Sequence, residues 1–457
     1  MKTKTVRLMV AGLLVLSLLA LALAGACSQP APSPTVAPKP AAPAPTMAPP
    51  SPTAAPKPTA APSPPPAAKV KTVTIGFIGD LSGPMAEPTR DVVAVSQALY
   101  NWVNETNYIP GIKLEYANED DRYQRANIVT AYKRLQEKNP LVIQVYTGDN
   151  AEVLKPTGAQ DKVPIVSYGG GTAAIDPPGW TFVVGSMYDS IAFANINWIY
   201  ANWDVAKMGR KAKYVHVGWD HAMGKTAVEP SKLYVQNKLS DKIEWLPEQI
   251  VPPGTTDMSK TAIVLKDLNP DYVWMALIAP PSSSLVKSAK GLGMDLKKFI
   301  WGDYTCFMWN TVMRVLTPAD VEATVFSTSF FPKSVKTPGM QRMFELWDKY
   351  VKRAYGSEIG VQVGYNPAQV IVEGIKRAVA KVGADKVDGT AVYEALQTMQ
   401  NYDPGTMLPV TYGPDRRDGQ RLTKLYTTKN GEWFELDGKI YDGGNPLPKD
   451  ILAQYKK

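Results

Sequence analysis

Val73-Thr-Ile-Gly-Phe-Ile-Gly-Asp-Leu-Ser-Gly-Pro84 reads as a buried strand that runs into a loop. Its first half is β-branched and aromatic, and Gly79-Asp80 and Ser82-Gly83-Pro84 then punctuate the chain. Taken with the residues before it, the strand covers Val70–Asp80. Downstream, Val92–Thr106 places Val92, Val95, Ala98, Leu99, Trp102 and Val103 at helical spacing. Lys113–Asn118 then reads as a strand, Arg125–Lys138 as a helix, and Leu141–Tyr146 and Val163–Tyr168 as strands separated by a helical stretch. Strands that alternate with helices in this way imply βαβ units on a parallel sheet.

The design then restarts. Lys213–Trp219, Lys242–Ile250, Tyr272–Ile278 and Phe299–Gly302 have strand character, and Lys225–Leu239, Met258–Leu268 and Ser283–Gly291 read as the helices between them. The expected fold class is therefore α/β: two Rossmann-like lobes with parallel-rich sheets. Such sheets bind ligands outside the carboxyl ends of their strands, which puts a cleft between the lobes.

The composition removes other classes of function. The 457 residues are 45% hydrophobic and 20% charged, enough for more than one core. The net charge of +8 is concentrated at the start: no Asp or Glu precedes Asp80, whereas Lys2, Lys4, Arg7, Lys39, Lys57 and Lys69 do. From Val70 onward the chain is nearly neutral, which argues against nucleic acid as a partner. Two cysteines, Cys27 and Cys306, and two histidines, His216 and His221, give neither a disulfide framework nor a Cys- or His-rich metal site. No cofactor or metal is expected.

The N-terminus reads as an address. Lys2, Lys4 and Arg7 precede an apolar run from Leu8 to Ala24, and small residues then lead into Cys27. These are the parts of a secretory signal peptide. Ala24-Gly-Ala-Cys27 also resembles a bacterial lipobox, which implies cleavage before Cys27, lipidation of Cys27 and anchoring outside the cytoplasm, in the periplasm or on the cell surface. Between residues 30 and 68 there are 16 prolines in 39 positions. Such a segment prefers polyproline II, a spacer of about 3.1 Å per residue.

Several landmarks along the folded part resemble the type I solute-binding proteins of ABC importers, the leucine/isoleucine/valine-binding group. They are Val73–Pro84, the acidic turn of Tyr116–Arg122 (YANEDDR), Val163-Pro-Ile-Val-Ser167, Val251–Asp257 (VPPGTTD) followed by Asn269-Pro-Asp271, and Gly364-Tyr-Asn-Pro-Ala368. The resemblance spans Val70 to Gly444. It implies lobes joined by crossover hinge strands, with a signal peptide at 1–26, a lipidated cysteine and tether at 27–69, lobe 1 at 70–190 and 333–400, and lobe 2 at 191–332 and 401–457. It further implies a non-enzymatic receptor that captures an amino acid or related small solute and delivers it to the membrane subunits of an importer.

The resemblance also nominates ligand-binding residues. Members of the group hold a ligand carboxylate with a Ser hydroxyl and backbone N–H groups at a helix start. Here that stretch is Tyr146-Thr-Gly-Asp-Asn150, with Thr147 as a hydroxyl donor and Gly148 in place of the Ser. The second loop is Gly169-Gly170-Gly171-Thr172, where relatives carry Ala-Ala-Thr or Ser-Ala-Thr. The turn Asp220-His-Ala-Met-Gly224 puts Met223 where relatives have Tyr, and Trp301-Gly-Asp-Tyr304 offers Asp303 or Tyr304 for the ligand's ammonium. Tyr146, Tyr168, Trp219, Met223, Tyr304, Phe307 and Trp309 suggest a large or ring-bearing solute, although about half of them are expected in the core.

Catalytic patterns are weak. Gly218–Thr226 has five residues between its glycines where a Walker loop needs four, and neither a G-x-S-x-G elbow nor an H-E-x-x-H pair occurs. The alternative to a receptor is a membrane-anchored surface enzyme acting on a small amide or sugar, which needs a positioned acid, base or nucleophile.

Overall fold

A computed structural model describes residues 70–302, 309–356 and 358–444. The expected signal peptide, Cys27, the expected tether and the segment holding Asp303, Tyr304, Cys306 and Phe307 lie outside the described residues.

The opening stretch forms β1 (Lys71–Gly79), whose Ile75, Phe77 and Ile78 are fully buried. It is followed by α1 (Ala86–Glu105), β2 (Ile112–Asp120), α2 (Ile128–Gln136), β3 (Pro140–Val145), α3 (Gly148–Asp161), β4 (Ile165–Ser167), α4 (Thr172–Ile175) and β5 (Thr181–Ser186). These strands and β12 (Asp418–Gln420) form a six-stranded sheet in the order β12-β5-β4-β3-β1-β2, and every pairing in it is parallel. The strand order reverses between β1 and β3, so the loops at their carboxyl ends diverge and leave a crevice there.

The second lobe repeats the plan. After α5 (Tyr188–Asn202) and α6 (Val205–Met208) come β6 (Ala212–Trp219), α7 (Ala222–Lys225), α8 (Val228–Tyr234), β7 (Ile243–Trp245), β8 (Gln249–Val251), α9 (Ser259–Leu268), β9 (Tyr272–Ala276), α10 (Ala279–Gly291) and β10 (Phe299–Trp301). With β11 (Val325–Thr328), β13 (Leu422–Lys429) and β14 (Glu432–Asp442) they build a sheet ordered β14-β13-β11-β10-β9-β6-β7, and β8 also pairs with β6. Among the described strands only β13 runs against the rest, pairing antiparallel with β11 on one side and β14 on the other. The stretch Lys242–Ile250, expected as one strand, is broken into β7 and β8. Pro247 lies in the break, and proline has no N–H to give to a sheet ladder.

Among the described residues, three segments pass between the sheets: Ser186–Tyr188, Thr328–Pro332 and Gln420–Leu422. The third differs from the boundary expected at residue 400. Residues 401–417 stay with the first lobe, where the Tyr412 hydroxyl donates to Val183 O at 3.0 Å and the Tyr412 N–H donates to Met399 O at 2.8 Å. β12 then pairs with β5, and the chain returns to the second lobe only at Arg421. That stretch has neither helical nor strand periodicity, so its sequence carried no sign of where it packs.

On the first lobe, the buried face of α1 (Val92, Val95, Leu99 and Val103) meets the long helix Glu358–Val382. Contact is close at Gly364, where a Cβ would stand 2.5 Å from the carbonyl oxygen of Val92. The Gly364-Tyr-Asn-Pro-Ala368 motif therefore lies inside this helix, at a helix–helix crossing, and does not open it.

Candidate functional site

The carboxyl ends of the strands present their loops to a cavity of about 750 Å³. Lobe 1 contributes Asp121, Tyr123 and Arg125 after β2, Thr147, Asp149 and Glu152 at the start of α3, and Thr172 and Asp176 around α4. Lobe 2 contributes Asp220, His221, Lys225 and Thr226 after β6, and Pro253 after β8.

Local structure explains how α3 is placed. Thr147 caps the helix: its hydroxyl donates to Asn150 Oδ1 at 2.5 Å, while the backbone N–H of Asn150 donates back to Thr147 Oγ1 at 3.3 Å. The Asn150 amide group in turn donates to Asp121 Oδ2 at 2.6 Å, tying the β2 loop to α3. Thr172 is engaged in a similar way, its hydroxyl donating to the buried Asp189 Oδ2 at 3.0 Å. Both threonines nominated from the sequence reach the cavity, but in each the hydroxyl proton points into the protein. What they offer a ligand is oxygen lone pairs.

The glycines divide. Gly148 donates its N–H to the Tyr188 hydroxyl at 3.2 Å, and a Cβ there would stand 2.7 Å from that oxygen, so the tyrosine occupies the space a serine would need. Gly169 packs against the same ring and Gly170 against Val183 and Ala174. Gly171 reaches the other lobe: a Cβ on it would stand 2.5 Å from Thr226 Cγ2. Met223 is buried in α7 and does not line the cavity. The other described aromatic candidates behave likewise. Tyr146, Tyr168, Trp219 and Trp309 are all at most 6% exposed and none lines this cavity; Trp309 borders a separate one of about 430 Å³. Among the described residues, none of the aromatic candidates for a large or ring-bearing solute lines this cavity; Tyr304 and Phe307 lie outside them.

The cavity is charged. Asp149 is its most connected carboxylate, with Oδ1 receiving a hydrogen bond from Arg125 Nη1 at 2.8 Å and Oδ2 lying 2.7 Å from His221 Nε2. Burial alone raises the Asp149 carboxyl, but the hydrogen bond and charge of His221 and the charge of Arg125 outweigh it and hold it below the usual carboxylate range. Burial, then the Asp149 charge, push Glu152 up. Asp121 is likewise raised by burial, with the Asp80 and Asp120 charges adding to it against the hydrogen bonds from Asn150 and Tyr123. The His221 ring stacks on Tyr123 with centroids 5.0 Å apart and planes 14° from parallel. Among the described residues, five carboxylates against Arg125, Lys225 and one imidazole make the cavity electronegative.

Tyr123, Arg125, Asp149, Glu152, His221 and Thr226 were not nominated from the sequence. Of these, Asp149, His221 and Thr226 sat inside motifs already read: Asp149 follows Gly148, His221 lies in the turn read for Met223, and Thr226 closes the stretch Gly218–Thr226. The acidic turn at Asp120-Asp121 was the available signal for the first of these loops.

A model for a family described as periplasmic binding protein matches residues 72–431. Among solved structures, a branched-chain amino acid ABC transporter protein from Thermus thermophilus with bound valine is 20% identical, with a TM-score of 0.73 over 82% of this chain and 98% of that one. A fatty acid ABC transporter substrate-binding protein from Thermomonospora curvata is 21% identical, with a TM-score of 0.71 over 82% and 93%. An ABC transporter solute-binding protein from Rhodopseudomonas palustris HaA2 in complex with p-hydroxybenzoic acid is 17% identical, with a TM-score of 0.66 over 84% and 100%. No curated protein matches the sequence. At these identities the likeness establishes the fold.

Proposed function

Because this chain belongs to the periplasmic binding protein family, the non-enzymatic solute-binding proteins of ABC transporters, we propose that it captures a small amine-bearing solute, an amino acid or a relative of one. The solute is held between the lobes and passed to the importer's membrane subunits. One observation carries the choice of an amine: the cavity wall is dominated by carboxylates, and the hydroxyls of Thr147 and Thr172 present acceptors. An ammonium has three donors and no acceptor, and meets such a wall well. Arg125 is paired with Asp149 and Glu152, and Lys225 with Asp220, so a carboxylate on the same solute would share those cations with the wall. Closure around the solute follows from its contacts with both lobes, which favour the closed state by its differential affinity.

The receptor is exported, lipidated at Cys27 and held by the Pro-rich tether on the extracytoplasmic face of a bacterial membrane, in the periplasm or at the cell surface. Acyl chains partition into the bilayer at about 0.8 kcal/mol per buried CH₂, so several on one cysteine anchor the protein firmly. A thermal-shift screen of amino acids, simple amines and simple carboxylic acids on the chain from Lys69 onward tests the ligand class. Amine-bearing compounds should raise Tm with concentration. Stabilisation by fatty or aromatic acids alone would overturn the amine assignment.

A further inference from the structure

His221 belongs to the second lobe, on the loop between β6 and α7, yet the two groups it meets in the cavity belong to the first. Asp149 Oδ2 lies 2.7 Å from its Nε2, and the Tyr123 ring lies parallel to its own at 5.0 Å. A carboxylate and an aromatic face together are what a protein uses to hold a cationic or nitrogen-bearing ring. Asp149 is itself steadied by Arg125 at 2.8 Å. The side chains of His221 and Asp149 are only 17% and 13% exposed, so water competes weakly for them. Beside them the lobes touch directly, with Thr226 against the backbone of Gly171.

We propose that His221 is an interlobe latch: lobe 1 holds this imidazole as an internal ligand, and the cleft closes with no solute present. The inference rests on the two-lobe receptor reading above and adds a competitor to it. A solute whose amine takes Asp149 must displace His221, and its apparent affinity is reduced by the fraction of protein in which the cleft is latched. His221 and Asp149 thereby set how readily solute is captured, not only where it sits.

The test needs no solute. Full-length protein is freed of bound solute by unfolding and refolding, and spin labels are placed at Lys133 on lobe 1 and Lys266 on lobe 2, both exposed. Ketone-directed attachment spares Cys27 and Cys306. Pulsed electron paramagnetic resonance should find the wild-type distance distribution dominated by its short component. His221→Ala and Asp149→Asn should each transfer population to a longer distance, lowering the closed-to-open ratio roughly 10- to 150-fold, the range for a hydrogen bond to a charged group. His221→Phe, which keeps the stack and loses the charge contact, should fall between. The two main variants sit on opposite lobes, so poor folding of one leaves the other to decide. An open wild-type protein, or distributions unchanged in a folded variant, would sink the latch. A parallel titration of wild type and His221→Ala, which keeps Asp149, with the amine panel separates the two readings: opening in that variant without amine binding upholds the latch and removes the amine assignment.

Discussion

Gly148 donates its backbone N–H to the phenol oxygen of Tyr188 at 3.2 Å, and that oxygen stands 2.7 Å from where a Cβ on Gly148 would lie. The side-chain space at the head of α3 is thus filled by the first residue of α5. Gly148→Ser should therefore destabilise the protein by about 1–3 kcal/mol, the usual cost of overpacking, as read by urea denaturation. Tyr188→Ala combined with Gly148→Ser should cost less than the two separate changes added together. Strict additivity would show that the two residues do not compete for one volume.

Thr172 and Asp189 are a second coupled pair. Thr172→Val removes the hydroxyl that donates to the buried Asp189 carboxylate and leaves an acceptor less satisfied. The expected loss is about 1–3 kcal/mol of stability in the absence of any ligand. Asp189 is already pushed up by burial, against the hydrogen bonds from Thr172 and Ser190. Losing the first of these raises it further, so the cost should be larger at neutral pH, where the carboxylate must be charged, than in acid. A Tm equal to wild type at both pH values would remove this reading.

His216 predicts an acid limb in stability. It is fully buried beside Trp274, its Nε2 lies 2.6 Å from Gly224 O, and burial pushes it down from the ordinary 6.5 to about 4. Between those values the unfolded chain binds the proton and the folded one does not, so stability rises with pH across this window and is lost as pH falls through it. At about 1.4 kcal/mol per pH unit the effect is on the order of 3 kcal/mol. His216→Gln should flatten this limb of the Tm-against-pH curve; an unchanged slope would assign it to other groups.

Gly364→Ala should be among the more damaging single-methyl additions, because its Cβ would meet the main chain of α1 at Val92 together with the fully buried side chain of Val95. Overpacking of this kind costs about 1–3 kcal/mol. Thermal denaturation measures it, and an effect within about 0.5 kcal/mol of zero would show that the two helices can move apart freely.

Anchoring has its own test. Cys27→Ser should move the protein from the membrane fraction to the soluble extracytoplasmic fraction. Retention of the variant in the membrane would make the apolar run Leu8–Ala24 a span and not a cleaved signal.

The alternation of strands and helices, the two lobes and the loops that face the cleft were legible in the sequence, because hydrophobic periodicity and Gly/Pro punctuation are local properties. Thr147 and Thr172 were nominated through the family resemblance of their loops, and both line the cavity. What each side chain does there was settled by segments far away in the chain. Tyr188, 40 positions on, fills the space at Gly148. Tyr412, 229 positions from Val183, keeps residues 401–417 on the first lobe. The aromatic residues Tyr146, Tyr168 and Trp219 went to the core, while the charged Asp149 and the imidazole of His221 met across the cleft. Periodicity reports which face of an element is buried; only close packing between distant elements determines which atoms remain to meet a ligand.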